Sequence, residues 1–327
     1  MLVTWRPTRL VNAVAFLAVV ASSIIEHPLH ARSFDEAHDE YVYRIALSHD
    51  GRLMATASGD NTVVLWDTQQ RIALHVLPHD AAVYTVAMSP DGQSIATGSG
   101  DGYVALWNTR EGRCVVRTKR HDDAVYSVAF SPDGQQLASA GGSTEGGDTA
   151  CRISRVVDLQ LLTSLTGHSR QVYGVVFSPD GQKLATSSSD KTIRLWNLAS
   201  RQCTVLPGHT SDVYRCAFSP DGRQLASTGQ DGTVRLWNLE TGKAAVLIDL
   251  TKKSPIYAAT FSHDGSRLAA VGDDCHLRIW RTTNGRLTWE QKVAPCALYS
   301  VGFLGTPTVV AAGENGSIYA VSTSSDR

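Results

Sequence analysis

The sequence predicts an all-β protein, a seven-bladed β-propeller with four antiparallel strands in each blade. Three observations predict it. A Tyr preceded by an aliphatic residue recurs at Tyr43, Tyr84, Tyr126, Tyr173, Tyr214, Tyr257 and Tyr299, 41 to 47 residues apart. A Ser-X-Asp-Gly tetrapeptide follows six of them, beginning at Ser48, Ser89, Ser131, Ser178, Ser219 and Ser262. In five units a short apolar run ending at Trp comes next, as in TVVLWD at 62–67 and TIRLWN at 192–197. Self-similarity at forty-odd residues, with four short strands per unit, is the period of a propeller blade.

Each unit opens with a β-type run such as VYTVAM or VYSVAF, and a second run such as SIATGS or KLATSS follows the tetrapeptide. Alternating apolar stretches joined by Asp-Gly are a hairpin signal. In SPDG, Pro fixes φ, Asp can bond its own backbone and Gly tolerates positive φ. A Gly-Asp, Ser-Asp or Gln-Asp turn leads to the Trp-bearing third run, and a weaker fourth run such as RIALHVL or RCVVRTK ends the unit. The third unit is longer because Gly141–Thr149 inserts a Gly-rich polar loop.

Composition narrows the function classes. With 30 basic and 31 acidic residues the net charge is −1, so the chain lacks the basic balance expected of a nucleic-acid binder. The cysteines Cys114, Cys151, Cys203, Cys216, Cys275 and Cys296 form no CxxC pair and fit neither a zinc site nor a small disulfide framework. Cys114 and Cys203 hold the same place in different repeats, too far apart to bridge. All six are expected as buried or half-buried thiols. No P-loop, HExxH or GxSxG motif is present. His27, His30 and His38 lie close in sequence without metal-site spacing. No catalytic residue, metal or cofactor is expected.

Residues 1–30 differ from the rest. Arg6 and Arg9 precede an apolar run from Leu10 to Ile25, which reads as a signal peptide for export or as a membrane anchor. The segment VNAVAF at 11–16 also resembles VYSVAF, so a degenerate blade remnant or the ragged edge of a longer protein is the competing reading, and a cytoplasmic location is the alternative to export. The scattered cysteines lean towards a reducing compartment.

The Trp-Asp and Trp-Asn pairs, the upstream His and the period together resemble the WD-repeat family, from about Ala31 to the C-terminus. The uniform SPDG turns resemble those of bacterial members. The resemblance implies that each repeat supplies the outer strand of one blade and the inner three of the next. The N-terminal strand, near Ala31–Asp35, would then close the ring.

The resemblance also implies a hydrogen-bond network inside each blade. It maps onto His38, Thr56, Asp60 and Trp66 in the first unit, and onto His79, Thr97, Asp101 and Trp107 in the second. The fourth unit supplies His168, Thr186, Asp190 and Trp196, and the fifth His209, Ser227, Asp231 and Trp237. A buried indole N–H and a buried carboxylate both need partners, and such a chain satisfies all four groups. A catalytic triad is needed once, whereas this set occurs four times, which argues for structure. The third unit keeps His121 and Ser139 but is expected to have Val157 at the Trp place and a displaced Asp. The sixth keeps Asp274 and Trp280, with Lys252 at the His place and Ala270 at the Ser/Thr place. The seventh has Val321 at the Trp place. These three blades are expected to be the least rigid.

The resemblance further implies a non-catalytic scaffold that binds other proteins or peptide segments around the mouth of the central channel. Its binding positions map first onto the seven tyrosines. The positions two residues earlier are Tyr41, Ala82, Ala124, Gln171, Asp212, Pro255 and Ala297. Those before the turn Asp include Gly59, Gly100, Ser189, Gln230, Asp273 and Glu314. Asp212, Asp273 and Glu314, beside Tyr214, Tyr257 and Tyr299, make the fifth-to-seventh sector acidic and aromatic, suited to a basic or peptide-like segment. Membrane contact is expected only through residues 1–30, if they are uncleaved. Two other readings compete: a small-molecule or sugar-binding propeller, enzymatic or not, and the sensor part of a larger signalling protein.

Overall fold

A computed structural model describes residues 32–34, 37–143, 147–249, 254–305 and 307–323 of the chain. The readings placed on residues 1–30, and Lys252, lie outside them. The described residues form seven four-stranded antiparallel sheets, the blades of a propeller. In the first blade the strands run outwards as Val42–Leu47, Leu53–Ser58, Thr62–Asp67 and Ile72–Pro78. Each innermost strand packs on the next, and the seventh meets the first. The seventh blade has three strands of its own, Leu298–Phe303, Thr308–Gly313 and Ile318–Ser322. Its fourth is Arg32–Phe34, paired antiparallel with Arg32 opposite Ala320 and Phe34 opposite Ile318. A strand from near the N-terminus therefore closes the ring and covers the outward edge of Ile318–Ser322.

The Ser-X-Asp-Gly turns explain why the inner hairpins form. The Ser48 hydroxyl donates to the Asp50 carboxylate at 2.6 Å and accepts the Leu53 N–H at 2.9 Å. The same Ser–Asp bond recurs in the next five blades. Gly51 sits at φ +69°, a left-handed conformation that strains an L side chain.

The hydrophobic core lies between blades. Seven apolar clusters occupy the seven junctions. One of them joins Ala55, Val63 and Leu65 of the first blade to Val83, Val86 and Trp107 of the second. Second strands carry small residues because another blade closes over them. A Cβ on Gly98 would stand 2.5 Å from Val125 Cγ1 of the next blade, so only glycine fits. Outer strands face solvent, and Cys114, on the strand Cys114–Lys119, is exposed rather than buried or half-buried. Its repeat position, one strand removed from the core, accounts for the difference. None of the six thiols is in a disulfide.

Within the fourth blade, Trp196 Nε1 donates to Thr186 Oγ1 at 3.0 Å, His168 Nε2 meets the same hydroxyl at 2.7 Å, and His168 Nδ1 meets Asp190 at 2.7 Å. Burial opposes the charge on Asp190, but hydrogen bonds from His168 and Thr192 outweigh it and hold the carboxyl well below the usual range. An ionised Asp190 fixes the proton on Nδ1, so Nε2 accepts from Thr186 and the relay is satisfied end to end. His38, Thr56, Asp60 and Trp66 repeat the arrangement, as do His209, Ser227, Asp231 and Trp237.

The second blade departs from the expected set. Trp107 and His79 both meet Thr97, but His79 Nδ1 faces the Leu77 carbonyl at 3.0 Å and not Asp101. In the first, fourth and fifth blades a Thr two residues past the Asp bonds it from within: Thr62, Thr192 and Thr233. The second blade has Tyr103 there. Arg117 lies 4.0 Å over that ring and draws Asp101 outwards at 2.8 Å.

The third blade departs in the other direction. Asp148, near the end of the inserted loop, meets His121 Nδ1 at 3.0 Å, while Ser139 meets Nε2 at 2.9 Å, so the carboxylate end of the network is intact. The Trp place is taken by Ser154, opposite Leu137 as Trp196 is opposite Leu184. Val157 is not at that place. It sits in the following turn, 76% exposed, because the insertion shifts the repeat register. In the sixth blade Arg278 takes the missing His's part, binding Asp274 and, at 2.7 Å, Glu290.

Candidate functional site

The tyrosines are aimed by a repeated irregularity. Val42 pairs with Ser58 and Arg44 with Ala57, which leaves Tyr43 in a bulge. The same shift occurs at the Tyr of every inner strand. A bulge re-aims one side chain without ending the strand. The result is a closed collar. Each ring touches the next at centroid distances of 4.9 to 6.0 Å, and Tyr299 meets Tyr43 to complete the circle. The collar encloses about 280 Å³, with Arg215 as the remaining lining residue.

Burial pushes the phenols of Tyr173 and Tyr257 up to about 12, and those of Tyr43, Tyr126, Tyr214 and Tyr299 also rise. Neighbouring phenols or carboxylates add to the rise in each case. These phenols stay neutral at physiological pH, each able to donate and to accept a hydrogen bond.

Asp212, Asp273 and Glu314 lie against the collar on three successive blades. The Tyr257 hydroxyl meets Asp273 at 3.4 Å. Asp212 acts on Tyr173 and Tyr214, and Glu314 on Tyr257 and Tyr299. Burial pushes the Asp212 carboxyl up, while Arg170 and Lys191 pull it back. Tyr41, 42% exposed, leans on Tyr43 and Tyr299 at 6.1 and 6.2 Å. Gly100 leaves room for its neighbour, since a Cβ there would lie 3.3 Å from the Tyr84 ring. Gln171 and Ser189 are buried against each other at 3.2 Å, so they are not part of an open face.

Sequence reasoning missed four charged residues near the collar. Glu40 and Asp123 act on Tyr43 and Tyr126, and Arg44 and Arg215 line the channel. Aligning the residue that follows each tyrosine would have found both arginines.

Six segments, 30–67, 72–108, 112–153, 159–197, 200–238 and 247–281, match the family model of the WD domain, G-beta repeat. The chain belongs to the WD-repeat family. WD-repeat propellers are commonly protein-interaction scaffolds and typically non-catalytic. The inner strands of the seventh blade lie outside the matched segments, consistent with a WD repeat that has Val321 at the Trp place. No curated protein matches the chain.

Proposed function

We propose that this WD-repeat protein is a non-catalytic scaffold that holds an extended, basic segment of a partner protein across the tyrosine collar. The closed ring of seven contacting tyrosines, acidic along its fifth-to-seventh sector, carries the reading. Neutral phenols combine a broad apolar face with a hydroxyl, at little conformational cost on binding. Asp212, Asp273 and Glu314 supply complementary charge for Lys or Arg and orient the segment.

The test uses an array of extended peptides graded in Lys and Arg content, probed with the full chain and with the Tyr214→Ala/Tyr257→Ala/Tyr299→Ala variant. Binding that rises with basic content in the wild type, and falls at least about tenfold in the variant, is expected. A variant that keeps the wild-type fold by circular dichroism and binds equally well would refute the reading.

A further inference from the structure

Beneath the collar the channel widens into a cavity of about 550 Å³, a volume suited to a small ligand. Among the described residues its lining contains no Asp or Glu and two arginines, Arg44 and Arg215. They come from blades on different sides of the channel. Arg215, on the fifth blade, donates from Nη2 to the Tyr43 carbonyl of the first at 3.1 Å. Arg44, on the first, reaches towards Cys216 of the fifth. The other terminal nitrogen of Arg215, Nη1, is buried and has no hydrogen-bond partner among the described residues.

The fold does not ask for these side chains. The same position, just after the collar tyrosine, is Thr85, Ser127, Gly174, Ala258 and Ser300 in the other blades. Three of those residues do structural work: Thr85 accepts the Val128 N–H, Ser127 the Val175 N–H and Ser300 the Ile45 N–H of the following blade. A guanidinium enclosed without a carboxylate is costly, and a small hydroxyl, a methyl or no side chain suffices elsewhere in the ring. Burial pushes Arg44 down only to about 10, so it keeps its charge at neutral pH. The titratable groups at the far end of the cavity are His49 and His263, whose rings lie 5.6 Å apart. Between the two ends the lining mixes apolar side chains, Val86, Val128 and Val175 among them, with Cys216, Thr260 and Ser300.

We propose that the channel is a binding site for a small organic oxyanion. Its carboxylate or phosphate head lies with Arg44 and Arg215, and its uncharged body rests on the valine wall. Planar guanidinium forks match both head groups, and two of them favour an anion over the neutral molecule of the same shape. The site adjoins the collar, whose cavity Arg215 also lines, but its ligand is a small anion and not the collar's proposed partner.

Isothermal titration of the full chain at constant ionic strength tests this, with benzoate and phenyl phosphate as probes and benzyl alcohol as their uncharged counterpart. At least one anion should bind, and comparing the two identifies the preferred head group. Arg44→Met and Arg215→Met should each weaken that binding at least about tenfold while the protein stays folded, since Met fills the space without charge. The triple tyrosine variant should keep it. Overturning results are no saturation by either anion below about 10 mM, benzyl alcohol binding as well as the anions, or unchanged binding in the double Met variant. Loss of binding in the tyrosine variant with both arginines present would also overturn the assignment.

Discussion

Asp101 and Asp190 occupy the same repeat position, yet their removal should have unequal consequences. Asp190 accepts four hydrogen bonds, from His168 Nδ1 at 2.7 Å, Thr192 Oγ1 at 2.6 Å, Thr192 N at 3.0 Å and Ser169 N at 3.2 Å. Its side chain is 8% exposed and that of His168 only 2%. Asp190→Ala strands the His168 N–H where water does not reach it and breaks the tautomer that Thr186 and Trp196 depend on. The loss of a charged, buried hydrogen bond costs ~1.5–3 kcal/mol, so with its neighbours the variant should lose about 3 kcal/mol. Asp101 instead bonds Ser99 and an Arg117 that is 34% exposed, while His79 takes its partner from the backbone. An ion pair of this exposure contributes ~1 kcal/mol or less. Urea unfolding of the two variants beside the wild type, with slopes checked for equality, measures the difference. Equal losses, or a larger loss for Asp101→Ala, would refute the account of the second blade.

The same blade predicts a pH dependence. Burial pushes folded His79 down to about 4, and burial lowers His121 as well, whereas an unfolded His titrates near ~6.5. The unfolded chain therefore binds more protons as pH falls below that value, so stability present above it is lost towards pH 4. Melting temperatures at several pH values should fall less steeply for His79→Asn than for the wild type, and parallel curves would count against it. For ring closure, a chain beginning at Arg32 should remain monomeric by size-exclusion chromatography. One beginning at Ala37 leaves Ile318–Ser322 as an open edge and should self-associate.

The blade count and hairpins were legible because their signals repeat. Ser-X-Asp-Gly specifies a turn by local chemistry, and the tyrosine spacing sets the period whatever else varies. Burial was partly legible, through the alternation of inner strands and the small residues of the second ones. Errors arose where a long-range neighbour decides the outcome. Asp101 has the sequence context of a network member, and only Arg117, on the adjacent outer strand, takes it away. In the third blade an insertion of uncertain register led to Val157, although the strand pairing selects Ser154. Of the candidate site, the tyrosines and the three acids followed from the binding positions that the family resemblance implies. The collar's closure into one continuous ring did not follow, since that depends on the bulge that turns each phenol inward.

Repetition and its exceptions have different physical roles in this molecule. Seven equivalent tyrosines make a surface with nearly rotational symmetry, and such a surface gives an asymmetric segment no preferred direction. Orientation has to come from residues that do not repeat. Asp212, Asp273, Glu314 and Glu40 place negative charge on four successive blades of the rim, with Asp123 alone on the opposite side, while Arg44 and Arg215 place positive charge in the channel. Arg215 lines the collar itself and bonds the Tyr43 carbonyl, whereas Arg44 lines only the cavity below. A basic segment would therefore be aligned by the rim and an anion drawn to the depth, with the neutral phenols between them. The repeats build the ring, and the residues that break the repeat give it polarity.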